Sequence, residues 1–381
     1  MIKKFTVLIV CTLVAFVGKP GIAAGYRIRE LPLLMVGGGN RAHAINDAGQ
    51  VAGSASYAQG KENTVLWVKE HAVVWDPEGV IKDLGCLPGG NMSWANDIND
   101  AGQIVGWSNA TSTEQLRDKH AVLWEKDGSV KEILAIPDDE SSEALAINNR
   151  GQVVGRRSRG AFLWSAETGM VDLKPQGSAV AINDSGQIAG CRYNADMKPR
   201  PVMWDSNGNG KDLTPVLGDG DTSISAINES GDIVGTRTKD GRNAAFLWSP
   251  SGGLTELGTL PDPPVFVGSI SPPPLPGTQA ASVNDQGQVV GWYYGKQTKC
   301  WGFYWSSSVG MLSFGPPPRK EQPKTEDMGG DGTKRTLKFS QCVLFVGRYD
   351  YGSDWSALRD INNKGVIIGS VNGRASVWTP E

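Results

Sequence analysis

Apolar residues in this chain come in short consecutive runs, each closed by a polar turn, and the runs recur in a fixed phrase. Ala44-Ile45 lead into Asn46-Asp47-Ala48-Gly49, and Gln50-Val51-Ala52-Gly53 follow. The phrase begins again at Asp97, Ala146, Ala181, Ala226, Ser282 and Asp360. Its Asn is invariant, a Gly stands three residues later, and a second Gly stands four beyond that. Asn and Asp open a turn by bonding their own backbone, and Gly supplies a positive φ where the strand resumes. The phrase therefore predicts a tight β-hairpin. A second apolar phrase follows each copy and ends at Trp75, Trp124, Trp164, Trp204, Trp248, Trp305 or Trp378, which predicts a third strand. Lys82-Asp83-Leu84-Gly85 and Thr255-Glu256-Leu257-Gly258 mark a fourth. Each unit is thus a small four-stranded antiparallel sheet. Its strands are apolar on consecutive residues, which suits sheets covered on both faces.

Copies that cover one another make either a stack or a ring, and a unit of four short strands repeated at this spacing favours a ring. The last unit ends three residues after Trp378 and lacks a fourth strand, while Tyr26–Pro32 resembles the fourth strand and tail at Lys82–Pro88. The expected fold is all-β: a seven-bladed β-propeller of four-stranded antiparallel blades, closed by pairing the N-terminal and C-terminal strands. It forms one domain over 25–381, with insertions at 259–279 and 313–356.

Composition adds the compartment. Lys3 and Lys4, the apolar run Phe5–Val17, the breaker Gly18-Lys19-Pro20-Gly21 and the small residues Ala23-Ala24 read as a signal peptide over 1–24. The expected location is secreted or periplasmic in a bacterium, with no stable membrane insertion, because no later run is long and apolar enough to span a bilayer. Removing Lys3, Lys4 and Lys19 takes the net charge from −3 to −6, so no nucleic acid is expected as a partner. Of the remaining cysteines, Cys86, Cys191, Cys300 and Cys342, the third precedes the second insertion and the fourth lies within it, so their pairing could staple it; the alternative is four single thiols.

The units resemble the HAF repeat of predicted extracellular bacterial proteins, a family named for a His-Ala-Phe phrase. His71-Ala72, His120-Ala121 and the Ala-Phe-Leu-Trp segments ending at Trp164 and Trp248 carry the resemblance, which spans nearly the whole mature chain. It implies an exported repeat protein. It implies no established enzymatic activity and transfers no catalytic residue.

Topology separates two kinds of loop. The first-to-second and third-to-fourth turns are short and repetitive, whereas the second-to-third loops and the crossings between blades vary in length and content. Loops on a rigid scaffold are where function usually sits, so a ligand is expected on the variable face. Trp107, Trp292, Tyr293 and Tyr294 leave the second strands toward it and are candidate ligand-binding rings, packing between blades being the alternative. Asp205-Ser206-Asn207-Gly208-Asn209 opens like a calcium loop, but Val216 stands where a bidentate carboxylate is needed, so no metal is expected. No cofactor motif is present, and the repeated Asp47, Asp100, Asp184 and Asp285 read as turn formers. The expected role is a binding scaffold for an extracellular protein or glycan. The alternative is a carbohydrate-active glycosidase or lyase with carboxylates at the central channel. A structural surface protein with no discrete ligand is a third option.

Overall fold

In the computed structural model the repeats form seven four-stranded antiparallel sheets, each with its strands in chain order except the last. The structure describes residues 25–35, 38–59, 67–111, 119–134, 141–158, 160–173, 177–195, 199–218, 221–239, 241–260, 277–294, 300–314, 326–328, 334–336, 356–371 and 373–381. The expected signal peptide at 1–24, the Pro-rich stretch 261–276 and Cys342 lie outside them. Blade 1 comprises Asn40–Ile45, Val51–Gln59, Trp67–Trp75 and Ile81–Asp83. Blades 2 to 6 repeat the plan from first strands Ser93–Ile98, Ser142–Ile147, Gly177–Ile182, Thr222–Ile227 and Gly277–Val283. Blade 7 has Ser356–Ile361, Ile367–Val371 and Arg374–Pro380, and takes its fourth strand from Tyr26–Glu30. One turn of helix, Thr214–Leu217, is the sole helix among the described residues.

The consecutive apolar pairs explain why the sheets form a ring. In the second strand of each blade one residue of the pair packs toward the preceding blade and the next toward the following one. Val51 sits in the core shared with blade 7, and Ala52 in the core shared with blade 2. Ile104 and Val105 divide in the same way, as do Ile233 and Val234. The series returns to its start: Ile367 packs toward blade 6, and Ile368 joins the core that holds Val51 and Trp75. The last sheet is sealed by antiparallel pairing of Tyr26 with Pro380, Ile28 with Trp378 and Glu30 with Ser376.

The hairpin phrase is legible atom by atom. The Gly49 amide donates to Asn46 O at 3.0 Å and the Asn46 amide to Gln50 O at 3.1 Å, a three-residue turn that places Gly49 at φ 82°. The second glycine of the phrase answers a different need. Every first strand carries a β-bulge against its second strand, as between Ala42 and Ala44 or Ala95 and Asp97. The bulge drives a first-strand carbonyl into the second strand, and a Cβ on Gly106 would lie 1.9 Å from Trp94 O. The seven equivalent positions all meet such a carbonyl, at 1.9–2.1 Å.

Adjacent blades are also stitched by polar groups. Ser93 Oγ accepts the Ala72 amide of the blade before it, and Ser142 and Thr278 do the same for Ala121 and Ala245. Within blades, the acid of the fourth strand finds a cation from whichever strand supplies one. His71 pairs with Asp83 and His120 with Glu132, whereas Arg157, Arg192 and Arg237 of the second strands reach Asp172, Asp212 and Glu256. Burial works against charge on His71, but its bonds to Asp83 and Cys86 outweigh burial and push its pKa up to about 9 from 6.5. A raised folded-state pKa means that the contribution is full below 6.5 and is lost as pH climbs through 9. The melting-temperature gap between the wild type and His71→Gln should therefore narrow from pH 6 to pH 10. A gap that stays constant over that range would refute the charged pairing.

Candidate functional site

The first strands enclose a central channel of about 340 Å³ whose two ends differ in kind. At the end carrying the repeated turns, the invariant asparagines form an unbroken girdle. Asn46 Nδ2 donates to Asn99 O, Asn99 to Asn148 O, Asn148 to Asn183 O, and Asn183 to Asn228 O. Asn228 continues to Asn284 O, Asn284 to Asn362 O, and Asn362 back to Asn46 O, every bond 3.0–3.1 Å. The following residues make a second ring, in which each amide donates to the side chain of the next blade. It runs from Asp47 through Asp100, Asn149, Asp184, Glu229 and Asp285 to Asn363, whose amide returns to Asp47 Oδ1 at 2.8 Å. The acids that read as turn formers are thus also acceptors between blades. Burial raises the Glu229 pKa, with the charges of Asp184 and Asp285 adding to it.

The wall is set by the bulges. The unpaired bulge residue of each first strand lines the channel, and this column never settles on one residue type: His43, Asn96, Leu145, Val180, Ser225, Ala281 and Arg359. Blades 7, 1 and 2 contribute charged and polar groups, while blades 3 and 4 contribute aliphatic ones. The polar side continues toward the variable face as an arc of contacts. Arg359 lies over the Trp292 ring at 4.7 Å, His43 stacks on Trp94 at 4.7 Å, and Arg41 covers the same Trp94 at 5.3 Å. Farther round, Asn96 donates to Glu143, which also holds Arg156. The corresponding first-strand positions of blades 4 and 5 hold the small residues Ser178 and Ser223.

Charge states in the wall follow from burial. His43 is held down at about 4 by burial, with the nearby Arg359 and Arg41 charges acting in the same direction. Its neutral ring donates from Nδ1 to Ala95 O at 2.6 Å, since a carbonyl can only accept, and Nε2 is left as an acceptor. Burial pushes Asp97 up to about 7, with the Asp360 charge adding to it, and burial raises Asp360 as well. Both carboxylates accept backbone amides across blade boundaries, Asp97 from Ile147 at 2.8 Å and Asp360 from Ile45 at 2.9 Å.

The candidate rings read from the sequence divide. Trp107 is buried beneath the Lys119 ammonium, and Tyr293 is buried against Trp301. Trp292 is half-buried and belongs to the arc. Tyr294 pairs with Gly277 and Cys300 in its sheet, and its side chain lies outside the described residues. Arg41, Trp94, Asn96, Glu143 and Arg359 were not anticipated. Their signal was available: within an otherwise repetitive phrase they occupy columns that do not repeat. The Asp205 carboxylate is turned onto its own loop, accepting the Asn207 and Asn209 amides at 2.9 Å. Among the described residues no group of three or more His, Cys, Asp or Glu is arranged to hold a metal ion. Cys86, Cys191 and Cys300 are free thiols. Among the described residues no helix is long and apolar enough to cross a membrane.

Comparison with known proteins supports the architecture. A family profile described as "Protein of unknown function (DUF3466)" matches residues 41–169, about a third of the chain. No curated protein matches the sequence. Among solved structures, a virginiamycin B lyase from Staphylococcus aureus aligns with a TM-score of 0.52 at 11% identity, covering 93% of this chain and all of that one. The β-propeller domain of the trilobed protease from Pyrococcus furiosus, described as having an open velcro topology, aligns with a TM-score of 0.50 at 12% identity, covering 90% and 94%. At such identities the likeness is one of fold alone: the chain is a seven-bladed β-propeller similar over residues 41–169 to a family without an assigned function.

Proposed function

We propose that this chain is an exported bacterial binding scaffold of the HAF-repeat kind, whose ligand, an extracellular protein or a glycan, meets the variable-loop face at the channel mouth. The observation that carries the reading is the arc from Trp292 and Arg359 through His43, Arg41 and Trp94 to Glu143. Flat rings flanked by guanidinium groups can stack on sugar rings or anchor a partner's side chains. The repeated-turn end, by contrast, spends its polar groups on bonds between blades. A second reading is a carbohydrate-active enzyme acting through Asp97 and Asp360. It is favoured by the proton that Asp97 holds near neutral pH. The amides already bonded to both carboxylates weigh against it.

The test is a glycan and protein array probed with the mature protein and with Trp94→Ala and Arg359→Ala, beside a glycosidase and lyase panel. The proposal expects a bound ligand whose signal falls at least about ten-fold in both variants, as for loss of an anchor residue. Turnover of any glycan, abolished by Asp97→Asn, would replace it with the enzyme reading.

A further inference from the structure

The varied column of the channel wall selects the chemistry of its occupant. His43, Asn96 and Arg359, from blades 1, 2 and 7, line one cavity of about 340 Å³, within the range of small-ligand sites. Hydrogen bonding fixes the polarity of the first two. His43 Nδ1 meets the Ala95 carbonyl, so the neutral ring carries its proton there and Nε2 can only accept. Asn96 Nδ2 donates to Glu143 Oε1 at 3.1 Å and to Ala144 O at 2.8 Å. Both amide protons are thereby used, and Asn96 Oδ1 can only accept. Neither Nε2 nor Oδ1 meets a donor among the described residues, and neither is sealed from solvent. Two neutral acceptors on neighbouring blades therefore call for donors from whatever occupies the channel.

Charge narrows the choice of donor. The Arg359 and Arg41 guanidinium groups both act against a proton on His43. An ammonium at Nε2 would meet the same repulsion, whereas a hydroxyl would not. Arg359 can only donate, and its planar fork suits a carboxylate. The acids of the wall do not undo this. Asp97 and Asp360 accept the Ile147 and Ile45 amides. Burial raises both pKa values, Asp97 to about 7, which reduces the negative charge they hold toward the cavity at neutral pH. In blades 3 and 4 the column turns to Leu145 and Val180, which offer apolar carbon to the C–H face of a ring. We infer that the channel binds a uronic acid unit of an acidic glycan, with its carboxylate on Arg359 and its hydroxyls donated to His43 Nε2 and Asn96 Oδ1. The inference rests on the binding reading above and narrows its glycan arm to carboxylated sugars. A neutral sugar would use the two acceptors but not the guanidinium charge, and a simple anion would do the reverse.

The experiment is calorimetric titration of a chain of residues 25–381 at pH 7 with trimers of galacturonic, glucuronic, mannuronic and guluronic acid. Each is tested beside its methyl ester, which keeps the hydroxyls and removes the charge. At least one trimer is expected to bind at least about ten-fold tighter than its ester, the effect of a charge-assisted bond. Arg359→Gln should bring acid and ester to within about two-fold of each other. His43→Phe, which keeps a flat ring beside Trp94 and removes the acceptor, should weaken acid and ester alike by about five-fold. An ester that binds as well as its acid would overturn the inference and leave the glycan reading standing. Silence of all four acids would also overturn it. A partner on the protein array would then keep the binding reading, and an empty array would end both. If a variant does not fold, the ratio of acid to ester in the wild type decides by itself.

Discussion

Replacing Gly106 by Ala should lower stability by about 4 kcal/mol, whereas Gly102→Ala, four residues earlier in the same phrase, should cost about 1–2 kcal/mol. The two glycines are equally invariant in the repeat, yet they serve different physics. Gly102 sits at φ 81°, and the nearest atom to an added Cβ is the Gln50 side chain at 3.4 Å, so its penalty is one strained dihedral. Gly106 needs no unusual dihedral. Its added carbon would lie 1.9 Å from the Trp94 carbonyl, 2.9 Å from its carbon and 3.1 Å from Ala95 Cα, all of them backbone. Relief requires flattening the bulge, which would turn Asn96 and Asp97 away from the channel and break their bonds to blade 3. Urea unfolding with an unchanged slope is the measurement. Equal midpoints for the two variants would show that the bulge does not hold the wall.

This contrast marks how far the sequence could be read. The blade, the turn and the closing strand were legible because each is written in residues that repeat. Asn46-Asp47-Ala48-Gly49 can hardly be anything but a turn, and Val51-Ala52 can hardly serve a sheet with one wet face. The bulge was hidden, because nothing in the string Arg41-Ala42-His43-Ala44 distinguishes an extra residue from a paired one. The asparagine girdle was hidden for another reason. A turn-forming Asn explains itself locally through its Oδ1, and only a closed ring shows that its Nδ2 has a second partner in the next blade. The arc escaped because attention went to the end of the second strand. There Trp107 and Tyr293 are consumed by packing, and the channel-facing residues lie one strand further in.

Closure of the ring is the premise on which the channel, its two unlike ends and the candidate site all depend. Tyr26–Glu30 does more than complete a sheet. Leu31 is buried in the core between blades 7 and 1, and Tyr26 and Ile28 pack against the core between blades 6 and 7. Pro32 O accepts the Trp75 indole N–H at 2.9 Å, and Leu31 O accepts Asn40 Nδ2 at 2.9 Å. Asn40 Oδ1 in turn holds the Ala375 amide. Removing the strand would expose two or three apolar side chains and leave buried donors without acceptors, a loss of about 7 kcal/mol. That is of the order of a whole domain's stability. The decisive measurement is thermal unfolding of a chain lacking residues 1–34, with and without a synthetic peptide of residues 25–34. A closed ring predicts that the truncated chain melts far below a chain of residues 25–381 or fails to fold, and that the peptide restores the transition in a concentration-dependent way. A truncated chain that melts with the chain of residues 25–381, indifferent to the peptide, would contradict it.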